Sequence, residues 1–255
     1  MKSYSHLTAF ITGATSGIGR AIAELFAEAQ MRLILTGRRQ DRLDLMKKEL
    51  SEKTQIYTLN FDVSQKQAVK AAIATLPDSW KNINILVNNA GNAHGLAPFQ
   101  DGSLDDWEAM IDINIKGILY VTKEILPFMK LQTHKHILNI GSIAGIEVYP
   151  NGNVYCASKR AVAALSEALR IDLLKEGIRV SEIKPGLVET EFSLVRFKGD
   201  EARAAQVYQN YSPLQAEDIA EIAFFILTRP AHVNIADLLV LPTDQAKSTI
   251  INKKI

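Results

Sequence analysis

The 255-residue sequence predicts an α/β protein built on a parallel sheet, and three observations carry that expectation. Short apolar runs alternate with longer segments of helical period, an order that joins parallel strands through crossover helices. The first such junction is a glycine-rich turn, Thr12 to Gly19, between a strand and a helix. Hydrophobic residues make up 47% and charged residues 22%, the balance of an ordinary globular chain long enough to bury one core.

The elements follow in order. Leu7 to Ile11 reads as a buried strand, and Ile18, Ile22, Leu25 and Phe26 give the next helix its apolar face. Leu33 to Leu35 is a second strand, and T-G-R-R-Q-D opens a helix carrying Leu43, Leu45, Met46 and Leu50. Ile56 to Leu59, the short helix Val69 to Leu76 and the strand Ile83 to Val87 continue the alternation. A long helix is expected from Leu104 to Met129, its end marked by Pro127, before a strand from His136 to Ile140. Val154 to Glu176 reads as a helix stopped by Gly177, which suits a C-cap, and Ile178 to Ile183 as a sixth strand. Glu189 to Asn210 is polar and breaks the rhythm, so a flexible substrate flap is expected around 189–210. A helix from Ala216 to Thr228, a strand from Asp237 to Leu241 and a basic tail, Lys247 to Ile255, close the chain. No repeat or linker divides it, and a single domain over 1–255 is expected.

Composition also excludes. A formal charge of +1 points to no polyanionic partner, and no nucleic-acid motif is present. The only cysteine is Cys156, so no intrachain disulfide can form and no cysteine cluster can hold zinc; no metal is expected. Cys156 itself reads as a small buried apolar residue. The segment before the first glycines is too short for a signal peptide, and no apolar run reaches membrane-spanning length, so the expected location is cytoplasmic, with no membrane partner.

The turn reads T-G-A-T-S-G-I-G. Its glycines let the backbone approach a pyrophosphate, whose charge is favoured at a helix N-terminus. About twenty residues on, where an NAD-binding chain places an acid for the ribose, stand Arg38 and Arg39. Two guanidiniums there suit a 2′-phosphate, so the expected cofactor is NADP. Tyr155 and Lys159 lie one helical turn apart, and Ser142 lies thirteen positions upstream. A phenol of reference pKa ~10 becomes a proton carrier at neutral pH only beside a cation, and the serine hydroxyl can hold the substrate oxygen.

Together these residues resemble the short-chain dehydrogenase/reductase family over nearly the whole chain. The shared features are T-G-x-x-x-G-I-G, D-V at Asp62 and Val63, N-N-A-G from Asn88 to Gly91, Asn114, G-S at Ser142, Y-x-x-x-K at Tyr155, and P-G at Pro185 with Thr190 beyond. The resemblance implies a Rossmann-type doubly wound sheet of about seven parallel strands. It implies a catalytic set of Asn114, Ser142, Tyr155 and Lys159, in which Lys159 holds the nicotinamide ribose and depresses the tyrosine pKa. It also implies cofactor contacts from Gly13, Thr15, Ser16, Gly17, Ile18 and Gly19; from Asp62, Val63, Asn89, Ala90 and Gly91; and from Pro185, Gly186, Val188 and Thr190.

Longer stretches, among them V-R-F-K-G-D at Val195 and P-A-H-V-N-I at Pro230, are similar to the NADP-dependent 3-hydroxy acid dehydrogenases that act on serine and allo-threonine. A short 3-hydroxy acid or hydroxy amino acid is therefore the expected substrate, with Arg196 in the flap a candidate for its carboxylate. The pair Ile146 and Glu147 departs from that branch near the substrate loop. His94 reads as a loop residue beside the nicotinamide. Another small carbonyl compound, or an NADP-binding regulator without chemistry, stays open. Family members pair through two long helices, and the alanines at 161, 163, 164 and 168 would let such helices approach, so a homotetramer is expected.

Overall fold

The computed structural model describes residues 3–254. Seven parallel strands form one sheet in the order β3-β2-β1-β4-β5-β6-β7. They are β1 Thr8–Ile11, β2 Arg32–Gly37, β3 Ile56–Asn60, β4 Ile85–Asn88, β5 His136–Ile140, β6 Arg179–Pro185 and β7 Asp237–Val240. Alternate side chains of β1 face opposite ways. Ala9 and Ile11 join the core beneath α1 (Gly17–Glu28), α2 (Gln40–Leu50) and α9 (Ala216–Leu227). Phe10 joins the second core, beneath α3 (Lys66–Ala74) and α5 (Gly117–Lys130). Burial on both faces is why the strands read as continuous apolar runs.

The chain leaves β1 toward α1 on one face and leaves β4 toward the other. Because the strand order reverses at this pair, the connections diverge and leave a crevice at the carboxyl ends of the strands.

The expected long helix is interrupted. α4 (Leu104–Ile111) and α5 are joined by a π-helical turn, Asp112–Lys116, which holds Asn114. An extra residue in one turn leaves the apolar spacing on either side intact, so hydrophobic period does not reveal it. α5 also continues past Pro127 to Lys130, so the proline sits in its last turn and does not end it. α6 runs Asn153–Asp172; looser turns follow to Gly177, whose φ of +67° closes them. The polar insertion is folded into α7 (Phe192–Arg196) and α8 (Glu201–Gln206), with Ser193, Ala204 and Tyr211 buried. The basic tail begins as an antiparallel pair, β8 Gln245–Lys247 and β9 Ile250–Ile251, pinned to the body where Glu147 accepts from Lys247 Nζ at 3.0 Å and from Ser248 N at 2.9 Å.

Phe26 lies on the inner face of α1, fully buried and tilted against Phe224 of α9 with ring centroids 6.2 Å apart. Replacing Phe26 with alanine opens a cavity between helix and sheet, with an expected cost of about 3–5 kcal/mol. The urea midpoint at fixed protein concentration should fall accordingly.

Candidate active site

The phosphate turn is shaped by two left-handed glycines, Gly13 at φ +64° and Gly17 at φ +50°. At Gly19 close approach is the constraint: a Cβ there would stand 2.4 Å from both Gly13 O and Asn89 Nδ2. Asn89 ties this turn to the end of β4, donating to Thr12 O at 2.9 Å and Gly13 O at 3.1 Å. Thr12 Oγ1 accepts from the backbone N–H of Asn89 and Ala90 in return. The first turn of α1 carries no acidic residue, and the Ser16 side chain gives the helix no cap. Its N-terminal N–H groups therefore stay free for an anion.

A cleft of about 510 Å³ opens above the sheet between this turn and α6. Gly13, Thr15, Ser16, Gly17, Ile18, Arg38, Arg39, Asp62, Val63, Asn89, Ala90, Gly91, Pro185, Gly186, Val188 and Thr190 line it, with Ser142, Tyr155, Lys159 and Arg196. Gly19 and Asn114 stand behind the lining and shape it. The cleft thus combines a glycine cradle, an uncapped helix N-terminus and arginines at one end, a donor set that fits a phosphorylated dinucleotide.

The arginines differ. Arg38 is 62% exposed, with one long contact to Asp62 Oδ2 at 3.4 Å. Arg39 donates to Thr15 Oγ1 at 3.0 Å and Ser16 Oγ at 2.7 Å, and pairs with Glu191 Oε2 at 2.9 Å. Position alone would make Arg39 a solvated residue at a helix start; Glu191, missed in the sequence, holds it together with Thr15 and Ser16.

At the other end of the cleft Asn114, 1% exposed, makes a two-point clip with the backbone of Asn92. It accepts from Asn92 N at 2.9 Å and donates to Asn92 O at 2.8 Å. It also donates to Ser158 Oγ at 3.0 Å, and that hydroxyl donates to Tyr155 O at 2.8 Å. The π turn, the loop after β4 and α6 are thereby locked together at the tyrosine. Lys159 is 6% exposed and donates from Nζ to Ile140 O at 3.0 Å. A Cβ on Gly91 would lie 3.1 Å from Asn114 Oδ1 and 3.4 Å from Lys159 Nζ, a tight approach where these two groups converge.

Burial dominates the titration of the pair. It pushes the Tyr155 phenol well above its ordinary range, with the neighbouring Tyr149 adding to the rise, while the Ser142 hydroxyl and Arg196 act the other way. It drags Lys159 down to about 8, against the field of the buried Glu182 carboxylate, which favours the charged amine. Ser142 caps a short turn by accepting from Ala144 N at 3.1 Å, which fixes its hydroxyl at the end of β5.

Arg196 lies in the same space. Its guanidinium carbon is 5.4 Å from the Tyr155 ring centroid and 5.6 Å from that of Tyr149, and Nη2 donates to Tyr149 Oη at 2.8 Å. Tyr149, Asn92 and Ser158 were not legible as site residues, because their roles come from contacts between distant segments. His94 sits in the adjoining loop against Asn92, with burial holding its imidazole below the usual range. Cys156 packs among Ala93, Met110, Ala144 and Tyr155, and burial raises its thiol pKa.

Known proteins are similar to this chain over more than nine-tenths of its length. Sulfoacetaldehyde reductase 2 of Chromohalobacter salexigens is 48% identical over 239 residues, covering 93% of this chain and 95% of that protein. The NADP-dependent 3-hydroxy acid dehydrogenase YdfG of Escherichia coli K12 is 47% identical over 237 residues, covering 92% and 95%. The closed form of serine dehydrogenase complexed with NADP+ superposes with a TM-score of 0.91 at 45% identity, over 98% of this chain and 100% of that one. Residues 7–200, spanning the phosphate turn, the Asn114 clip and the Tyr155–Lys159 pair, match the profile of the short chain dehydrogenases. The chain belongs to the short-chain dehydrogenase family.

Proposed function

We propose that the chain is an NADP-dependent oxidoreductase that moves a hydride between NADP and a short 3-hydroxy acid or hydroxy amino acid of the serine, allo-threonine or 3-hydroxypropionate type. The observation that carries this reading is the convergence of Ser142, Tyr155, Lys159 and Arg196 on the cleft whose other end bears the glycine turn and Arg38 and Arg39. NADP, when bound, supplies or accepts the hydride. The protein's own residues do the rest. Gly13 to Gly19 with the α1 N-terminus receive the pyrophosphate, and Arg38 and Arg39 select the 2′-phosphate.

Ser142 holds the substrate oxygen and Tyr155 exchanges the proton at that oxygen. In the carbonyl-reducing direction a buried neutral phenol is already the proton donor; in the oxidising direction it must first give its proton up. Lys159, one turn along the same face, stabilises the phenolate that then forms. Asn114 and the Lys159 amine, which converge beside Gly91, form the inner end of the relay. A non-catalytic regulator would have no use for this group of buried polar residues.

Arg196 supports an anionic substrate, since its guanidinium lies over the tyrosine that carries the proton. A carboxylate two carbons from the reacting carbon fits such an anchor, and a sulfonate offers the same oxygens. A short sulfonated aldehyde is therefore the second reading, favoured by the 48% identity to a sulfoacetaldehyde reductase.

A cytoplasmic homotetramer is the assembly this reading implies. Among the described residues no helix is long and apolar enough to cross a membrane. Leu119 on α5 and Ile171 on α6 present large apolar side chains to solvent, as the pairing of two long helices would require.

Three outcomes are expected. Replacing Tyr155 with phenylalanine should lower kcat by about 10²- to 10⁴-fold while fluorescence titration shows NADP+ binding retained. Arg196→Ala should raise KM for 3-hydroxypropionate tenfold or more, on the order of a lost charge-assisted pair, and leave KM for 1,3-propanediol nearly unchanged. Light scattering after size exclusion should report four chains per particle.

A further inference from the structure

Glu191 stands just before α7 and reaches across the cleft. Its Oε2 accepts from Arg39 Nη1 at 2.9 Å and its Oε1 from Arg42 Nη1 at 2.7 Å, so one carboxylate bridges two guanidiniums at the β2–α2 junction. Burial alone would lift its carboxyl, but the two arginines hold it below the usual carboxylate range. At the far end of the five-residue α7 is Arg196, over the rings of Tyr149 and Tyr155. That end is tied down as well: Gly95 N donates to Arg196 O at 2.9 Å, and Lys198 pairs with Asp106 at 3.0 Å. A helix of five residues is a stiff spacer of about 7.5 Å. It therefore transmits the position of one end to the other.

We propose that Glu191 is a positioning residue coupling the two ends of the cleft: it anchors α7 on Arg39 and Arg42, which sets Arg196 over Tyr155, and it competes with a cofactor 2′-phosphate for Arg39. The first half rests on the reading of Arg196 as the substrate anchor. Competition follows from chemistry, since carboxylate and phosphate use the same guanidinium donors. Arg39 already spends its other edge on Thr15 and Ser16. A phosphate brought to Arg39 meets the charge of Glu191, and NAD+, which lacks that phosphate, does not.

Glu191→Gln keeps the shape and removes the charge. The test compares it with the parent, with Arg196→Ala and with the double variant. Kd for NADP+ and NAD+ is read by protein fluorescence, and KM is read with 3-hydroxypropionate and with 1,3-propanediol. The half-exposed ion pairs set the scale at about two- to fivefold. In Glu191→Gln, NADP+ should tighten relative to NAD+ by that factor, and KM for 3-hydroxypropionate should rise by a similar factor with KM for the diol unchanged. In the Arg196→Ala background the substitution should add nothing to KM for 3-hydroxypropionate and should still tighten NADP+ relative to NAD+. An unchanged NADP+/NAD+ ratio, or an equal rise in KM for both substrates, overturns the coupling. If Arg196→Ala itself fails to separate the acid from the diol, the anchor reading fails, and the NADP+/NAD+ ratio still decides the competition.

Discussion

The site depends on keeping a lysine amine out of water. Lys159 is held 6% exposed with its Nζ on the carbonyl of Ile140, and a buried ammonium is tolerated only where its surroundings compensate. Much of the neighbouring structure serves that placement. Gly145 lets the loop after β5 approach α6, where a Cβ would stand 2.7 Å from Lys159 O. Gly91 leaves space beside the amine, and Asn114 fixes the loop that carries Gly91. Beneath the sheet end, Glu182 is fully buried, pairs with Lys184 at 3.3 Å and lends its field to Lys159. Lys184 in turn bonds Asp237 of β7. Charged side chains thus link the edge strand to β6 beneath α6, and a Cβ at Gly141 would stand 2.0 Å from Glu182 Oε1.

Charge is also distributed along the length of the cleft. Arginines stand at the β2–α2 junction and on α7, and glycines and apolar residues such as Val63, Val188 and Phe192 are also in the lining. On the proposed function, a cofactor carrying phosphate at one end and a substrate carrying an anion at the other would be oriented by these poles. The folded insertion gives the second pole its position, with Phe192 against the Tyr155 ring at 5.6 Å and Arg196 on the Tyr149 hydroxyl.

What was legible in the sequence is what depends on short range. The strands and helices follow from apolar period, the phosphate turn from glycines that need positive φ, and the Tyr155–Lys159 pair from helical spacing. Arg38 and Arg39 were legible because they sit a fixed distance after the turn. What stayed hidden depends on residues far apart in the chain. Arg39 meets Glu191 across 152 positions, and Arg196 meets Tyr149 across 47. The π turn leaves no trace in hydrophobic period because the apolar spacing on either side of it is intact, and the partner of Asn114, Asn92, lies 22 residues earlier. The polar flap looked unstructured because its helices are short and gain their burial from the body of the protein. Lys247 read only as part of a basic tail, and its partner Glu147 lies 100 residues earlier.

The most direct test of this account is the titration of Lys159 itself. In protein labelled with ¹³C at the lysine Cε, the resonance abolished by Lys159→Met should titrate at about 8, below an ordinary lysine, as burial demands. A Lys159 resonance that titrates with the exposed lysines, at about 10.4 or above, would contradict the claim that a desolvated amine organises the site.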